Sequence, residues 1–258
     1  MSKITSLLGF CALMALGSTS FAGPTGDYTF SFGLPAKPVW DITGTYTLSP
    51  DVNEDTSVVF DVTIIQDAQG MVTGSGDTTV EIDGAPSTGH YTVKGKVTNS
   101  GGVAKINATV KLSGSGTVQG LDTTYSLSAS YKLEIDPITG TVFGSARGSA
   151  KAAGVGSGPI NDQIEALLPP DMDGSWTLLM DLVPTGNKLG GTSSVKLTGS
   201  NRTFNLGVKG TYSEKNGKSS ISLTGSEASK GTSLKVMGTG DALTPLTVKG
   251  KILGQVVQ

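Results

Sequence analysis

The residues able to carry chemistry are few, and they are spaced in ways that exclude the common constellations. The chain has one histidine, His90, and one cysteine, Cys11. Cys11 lies in a segment with the marks of a secretory signal: Lys3, the apolar run Leu7 to Leu16, and the small-residue ending Ser20-Phe21-Ala22. Residues 1–22 are therefore expected to be removed, leaving a mature chain without a thiol. Nucleophilic and acid–base catalysis usually needs a histidine or cysteine beside a nucleophile, or a nucleophile elbow G-x-S-x-G, and no such elbow occurs. His90 falls on the strand face opposite Tyr91, Val93 and Val97, which predicts a solvated surface position. Ser193-Ser194-Val195-Lys196 matches S-x-x-K, but in an alternating stretch residues three apart point to opposite faces, so serine and lysine cannot meet.

One oxygen-rich run remains. In Asp51-Val52-Asn53-Glu54-Asp55, the side chains of Asp51, Asn53 and Asp55 recur at alternate positions and could converge on Ca²⁺. Thr56 replaces the turn glycine of an EF-hand loop and Val62 stands where its closing glutamate belongs, so an acidic hairpin loop is the first reading and calcium the second. Asn107-Ala-Thr109 and Asn201-Arg-Thr203 are formal glycosylation sequons. The formal net charge of −2, with Arg147 and Arg202 the only arginines and the lysines dispersed, excludes a nucleic-acid footprint.

The elements that would position these residues are strands. Ala104, Ile106, Ala108, Val110 and Leu112 share one face, against Lys105, Asn107, Thr109 and Lys111 on the other. Phe204, Leu206, Val208, Gly210 and Tyr212 alternate likewise. Short turn signals between such runs, for example Asn99-Ser100-Gly101-Gly102 and Lys215-Asn216-Gly217, predict antiparallel hairpins.

The pattern is written twice. DITGTYTL from Asp41 aligns with DMDGSWTL from Asp171 at an offset of 130, Tyr91–Val97 with Leu206–Tyr212 at 115, and Thr141–Gly144 with Thr247–Gly250 at 106. Two related β units follow, 40–150 and 171–258. Between them, 151–170 reads as a small-residue linker and a short helix, with Ile160, Ile164, Leu167 and Leu168 at helical spacing between Pro159 and Pro169-Pro170. Ahead of them, residues 23–39 form an arm whose Tyr28, Phe30 and Phe32 alternate without a counterpart in the second unit. This strand reads first as an edge strand on its own chain. In a sharper reading it complements a neighbouring molecule and assembles the protein.

Gly44-Thr45-Tyr46 and Gly174-Ser175-Trp176 resemble the Gly-x-Trp opening of the calycin group, and Ile42 to Tyr46 in particular resembles an avidin first strand. The resemblance implies an antiparallel barrel or strongly curled sheet with an aromatic plugging one end. It carries over no ligand site: Trp40 and Trp176 are the only tryptophans, the lipocalin Thr-Asp-Tyr element is missing, and no lipocalin disulfide can form. Arg147 occupies a place where lipocalins often set an arginine, but its counterpart at the offset of 106 is Leu253.

The sequence thus predicts a secreted or periplasmic, all-β, non-enzymatic protein of two antiparallel barrels or curled sheets. A structural or interaction role at the cell surface or in the extracellular matrix is the first expectation, through self-association or a cell-surface partner. The second is a carrier of a small apolar ligand, in which inward-facing Gly95, Ala104 and Ala108 leave a void. An outer-membrane barrel is the third, disfavoured by short runs such as Ser219–Thr224 and by the shortage of aromatics for girdles.

Overall fold

The computed structural model describes residues 26–31, 37–53, 56–100, 103–167, 173–215, 218–240 and 247–257. These residues form strands and turns, with no helix among them. In chain order the strands are β1 (Gly26–Ser31), β2 (Gly44–Leu48), β3 (Asp51–Asn53), β4 (Thr56–Gln66), β5 (Met71–Ile82), β6 (Ala85–Ser100), β7 (Val103–Val118), β8 (Leu121–Ile135), β9 (Thr141–Ala152) and β10 (Gly156–Leu167). There follow β11 (Trp176–Thr185), β12 (Lys188–Leu197), β13 (Thr203–Lys215), β14 (Lys218–Ser226), β15 (Ser233–Gly240), β16 (Thr247–Ile252) and β17 (Gln255–Val256).

Two antiparallel sheets result. The first runs β10-β9-β8-β7-β6-β5-β4-β2, with β3 paired to β4, and the second runs β1-β11-β12-β13-β14-β15-β16-β17. Hairpin chemistry sets the registers. Asp83-Gly84 and Gln119-Gly120 are two-residue loops in which both residues have positive φ, the type I′ geometry whose twist matches that of the strands it joins. Between β8 and β9, Asp136 Oδ1 accepts the N–H groups of Thr139 and Ile138, which holds its carboxyl below the ordinary carboxylate range.

A single-layer sheet has nothing to bury its apolar face against unless it curls. The inward rows of β4 to β10, among them Phe60, Val72, Val93, Leu112, Leu127, Ala146 and Ile160, pack into one core. A register irregularity between Phe60 and Ile65 on β4 adds bend of the kind bulges supply. This sheet stays open, since no ladder joins β2 to β10. Its edges nevertheless approach, with β3 beside β10 and the Asp51 N–H donating to Asp162 Oδ2 at 3.0 Å. The second sheet is a curled half-barrel with its own core, including Trp176, Leu178, Val195, Leu206, Leu223 and Ile252.

The expected short helix is a strand. Pro159–Leu167 lies in β10, paired residue for residue with β9 from Gly156↔Ala152 to Leu167↔Thr141. The small-residue stretch before it supplies the end of β9, the turn at 153–155 and the start of β10, and Leu168 lies outside the described residues. The spacing of Ile160 and Ile164 satisfies period two as well as period 3.6. Pro159, taken for a helix start, sits on an edge strand, where a missing N–H breaks no inner ladder.

The N-terminal strand pairs within its own chain. β1 runs antiparallel to β11, from Gly26↔Leu182 to Ser31↔Thr177, so the first described strand is the edge of the second sheet. Tyr28 and Phe30 lie opposite Met180 and Leu178, and Phe32 lies outside the described residues.

Residues 37–43 then pass between the sheets, and Val39, Trp40, Asp41 and Ile42 are buried. No strand pairs with this segment, so side chains replace the ladder. Gln255 Oε1 accepts the Trp40 N–H at 3.0 Å and Gln255 Nε2 donates to the Trp40 carbonyl at 2.8 Å. Gln66 Oε1 accepts the Ile42 N–H at 2.9 Å, and its amide nitrogen also reaches the Trp40 carbonyl. Arg202 donates to Asp41 Oδ2 at 3.1 Å and to the Gln66 carbonyl at 2.8 Å, with its guanidinium over the Phe204 ring. Beside this strap the β4–β5 turn meets the second sheet backbone to backbone: a Cβ on Gly231 would fall 1.8 Å from the Ala68 carbonyl oxygen, and one on Gly254 2.2 Å from that of Gln69.

Candidate functional site

Inside the curl of the first sheet lies a cavity of ≈ 400 Å³. Its walls are the inward side chains of β4 to β8, including Val62, Ile64, Val72, Val93, Ile106 and Val110, closed at one side by Leu133, Val142 and Ile164. The mouth follows from topology. β2 contributes Thr45 and Thr47 as well as Tyr46 and Leu48, and β10 contributes Ala166 and Leu167, so both unpaired edges border the opening. Leu167 is 77% exposed there.

Small inward residues make the space unevenly. Ala108 lines the cavity, whereas Ala104 is fully buried in the core and does not. Gly95, opposite Ala108 in the β6–β7 ladder, leaves no void: a Cβ there would stand 2.5 Å from the Asn107 carbonyl oxygen, so this glycine lets two strands pack closely.

The polar groups on the lining are nearly all committed. Thr45 Oγ1 bonds Thr63 Oγ1 at 2.9 Å, Thr47 Oγ1 donates to Asp61 at 2.6 Å, and the Tyr46 hydroxyl donates to the Ile42 carbonyl at 2.9 Å. Tyr131 differs. It is 8% exposed and lines the cavity, and its hydroxyl makes no hydrogen bond to a described residue. Burial pushes this hydroxyl up to about 12, and the Asp162 charge adds to the effect, so it remains a neutral donor across the physiological range. Register places Ala108, Tyr131, Ala146 and Asp162 in one row across β7 to β10. Among the described lining residues there is no lysine, arginine, aspartate or glutamate.

A second cavity of ≈ 200 Å³ lies between Val52, Val58, Ile82, Leu112, Val118 and Tyr125. Its tyrosine is satisfied, since the Tyr125 hydroxyl donates to the Thr88 carbonyl at 3.0 Å and meets Ser87 Oγ at 3.1 Å.

The calcium candidates are not brought together among the described residues. Asp51 is exposed at the start of β3, Asn53 ends that strand, and Asp55 lies outside the described residues. Among the described residues no three His, Cys, Asp or Glu side chains cluster with metal-binding spacing.

His90 is exposed, and the structure gives it partners that its position in the sequence did not suggest. Its Nδ1 lies 2.8 Å from Asp77 Oδ1 and its Nε2 3.2 Å from Ser75 Oγ, the order of a serine–histidine–aspartate relay. The β5–β6 register produces this by setting Asp77 opposite His90, with Ser75 two residues along the same face. The signal was legible as Ser-x-Asp on one strand facing a lone histidine on the next. The chemistry is weak for physical reasons. Asp77 is 82% exposed, and the surrounding backbone N–H groups lie within ladders rather than converging on an oxyanion.

No family model, no curated protein sequence and no solved structure matches this chain.

Proposed function

We propose that this protein binds a small apolar ligand inside its first sheet, as a carrier or store rather than as an enzyme. The observation that carries the reading is the cavity of ≈ 400 Å³ with an almost wholly hydrocarbon lining, within the range of sites that take small organic molecules. An apolar cavity of about 150 Å³ holds one benzene ring, so this one has room for roughly two or three such volumes or a folded acyl chain. An open edge between β2 and β10 supplies a way in without unfolding.

Two further features support this reading over the alternatives. The strand on which self-assembly would rest, β1, already has a partner in β11. Outward residues of β7 are Lys105, Asn107, Thr109, Lys111, Ser113 and Ser115, a face suited to water, whereas a membrane barrel turns its apolar residues outward. The signal-like N-terminus supports a carrier that works outside the cytoplasm.

The two sheets are also read as copies of one unit. The aligned pairs Val97–Ile106 and Tyr212–Ile221 each sit directly opposite one another in a hairpin. Aligned Gly144 and Gly250 share φ near +150°, each against a carbonyl of the neighbouring strand.

The test is native mass spectrometry on protein purified from its own host. A non-covalent adduct released by organic solvent is expected. Protein that arrives without an adduct and fails to take up the neutral probe N-phenyl-1-naphthylamine would exclude the carrier role.

A further inference from the structure

The cavity contains one polar atom without a task. Of the four hydroxyl-bearing side chains on its described lining, Thr45, Tyr46 and Thr47 are hydrogen-bonded to the protein, and the Tyr131 hydroxyl has no hydrogen bond to a described residue. Its oxygen is not among the sealed, unpartnered polar atoms of the described residues, so a water or a ligand can reach this donor and satisfy it. Tyr131 is flanked in register by Ala108 on one side and Ala146 on the other, so small side chains stand on both sides of the ring.

Charge narrows what can sit there. No cation among the described residues lines the cavity, and the acid in the same inward row, Asp162 on β10, lies close enough for its charge to act on the tyrosine. A carboxylate or phosphate head would enter an apolar space without a counter-charge and beside a like one. A neutral oxygen, as in an alcohol, ester or ketone, needs only a donor.

We propose that the ligand is a neutral amphiphile, an apolar body bearing one uncharged oxygen, and that the Tyr131 hydroxyl is the group that recognises that oxygen. The assignment rests on the carrier reading above and adds the chemical class of the ligand. Asp162 acts as a selectivity residue by repelling anionic heads.

The experiment is displacement of N-phenyl-1-naphthylamine from the mature protein by decanol, methyl decanoate and decanoate at neutral pH. Decanol and methyl decanoate are expected to displace the probe at concentrations at least about tenfold lower than decanoate. Tyr131→Phe should weaken both neutral ligands by about 3- to 10-fold, the size of one hydrogen bond, each expressed relative to the variant's own directly titrated probe affinity, with a cooperative thermal transition showing that it folds. Asp162→Asn, which keeps the oxygen that accepts the Asp51 N–H, should improve decanoate alone. Equal or tighter binding of decanoate by the unaltered protein, or no effect of Tyr131→Phe on decanol, overturns the head-group assignment and leaves the carrier reading standing. Failure of the probe itself to bind overturns both.

Discussion

The amide of Gln255 closes on the backbone of Trp40 from 215 residues away, accepting its N–H at 3.0 Å and donating to its carbonyl at 2.8 Å. Both residues are buried, so one side chain serves here as a neighbouring strand would. In Gln255→Leu the Trp40 carbonyl keeps Gln66, but the N–H is left without an acceptor, at a cost of about 1–3 kcal/mol. Urea unfolding should show that loss together with a broadened or split transition, because this contact couples the two sheets.

A neighbouring contact should behave more sharply. The Asp41 side chain is 2% exposed and its ion-pair partner is Arg202. Among the described residues, Thr43 supplies the other hydrogen bonds to Asp41, from its hydroxyl and backbone N–H to Oδ1. Arg202→Met leaves a buried carboxylate without its cation, and a loss of about 2 kcal/mol or more is expected by chemical denaturation. Adding Asp41→Asn should recover part of it, a non-additivity that marks direct coupling.

Filling the cavity separates binding from folding. Ala108→Leu adds bulk to the lining where space exists, so stability should move by less than about 1.5 kcal/mol while probe affinity falls at least about tenfold. Gly95→Ala, on the partner strand, should do the reverse. It has no room beside the Asn107 carbonyl and should lower stability by about 1–3 kcal/mol, read by thermal unfolding.

Alkaline titration offers a readout of Tyr131 without any ligand. With the folded hydroxyl raised to about 12 from an ordinary 10.0, the folded state holds its proton more tightly than the unfolded state. The contribution is complete below about pH 10 and is lost as pH rises through about 12, a decline of the order of 2 kcal/mol. Denaturation midpoints measured across that interval should fall more steeply for the unaltered protein than for Tyr131→Phe.

The Ser75–His90–Asp77 relay predicts a negative result. A fluorophosphonate probe should leave Ser75 unmodified, and His90→Ala should change stability by less than about 0.5 kcal/mol, since the pair is exposed. Mass-spectrometric labelling of Ser75 would reopen the question of catalysis.

The sequence disclosed what local chemistry determines. Alternation from Ala104 to Leu112 is the β7 face, and the hairpin that sets Val97 opposite Ile106 was readable from a turn and two apolar runs. Pro159 to Leu167 was misread because isoleucines four apart satisfy both periods, and tertiary pairing with β9 decided between them. Of the cavity, small residues at Gly95, Ala104 and Ala108 gave a hint, but only Ala108 borders it, since close strand approach and core packing consume the other two. Nothing in the sequence singles out Tyr131 from other aromatics on alternating strands. Its isolation depends on which hydroxyls around it are spoken for, and the partners of Gln66, Arg202 and Gln255 depend likewise on contacts across the whole chain.

The placement of β1 sets an order of events. Gly26 pairs with Leu182, so β1, the first of the described strands to leave a ribosome or an export channel, has no partner until β11 has followed. The first sheet is complete once Leu167 has emerged, whereas the second must wait and then close over a long loop. Until β11 has emerged β1 lacks its partner, and that interval is when its edge is most exposed to pairing with the wrong chain.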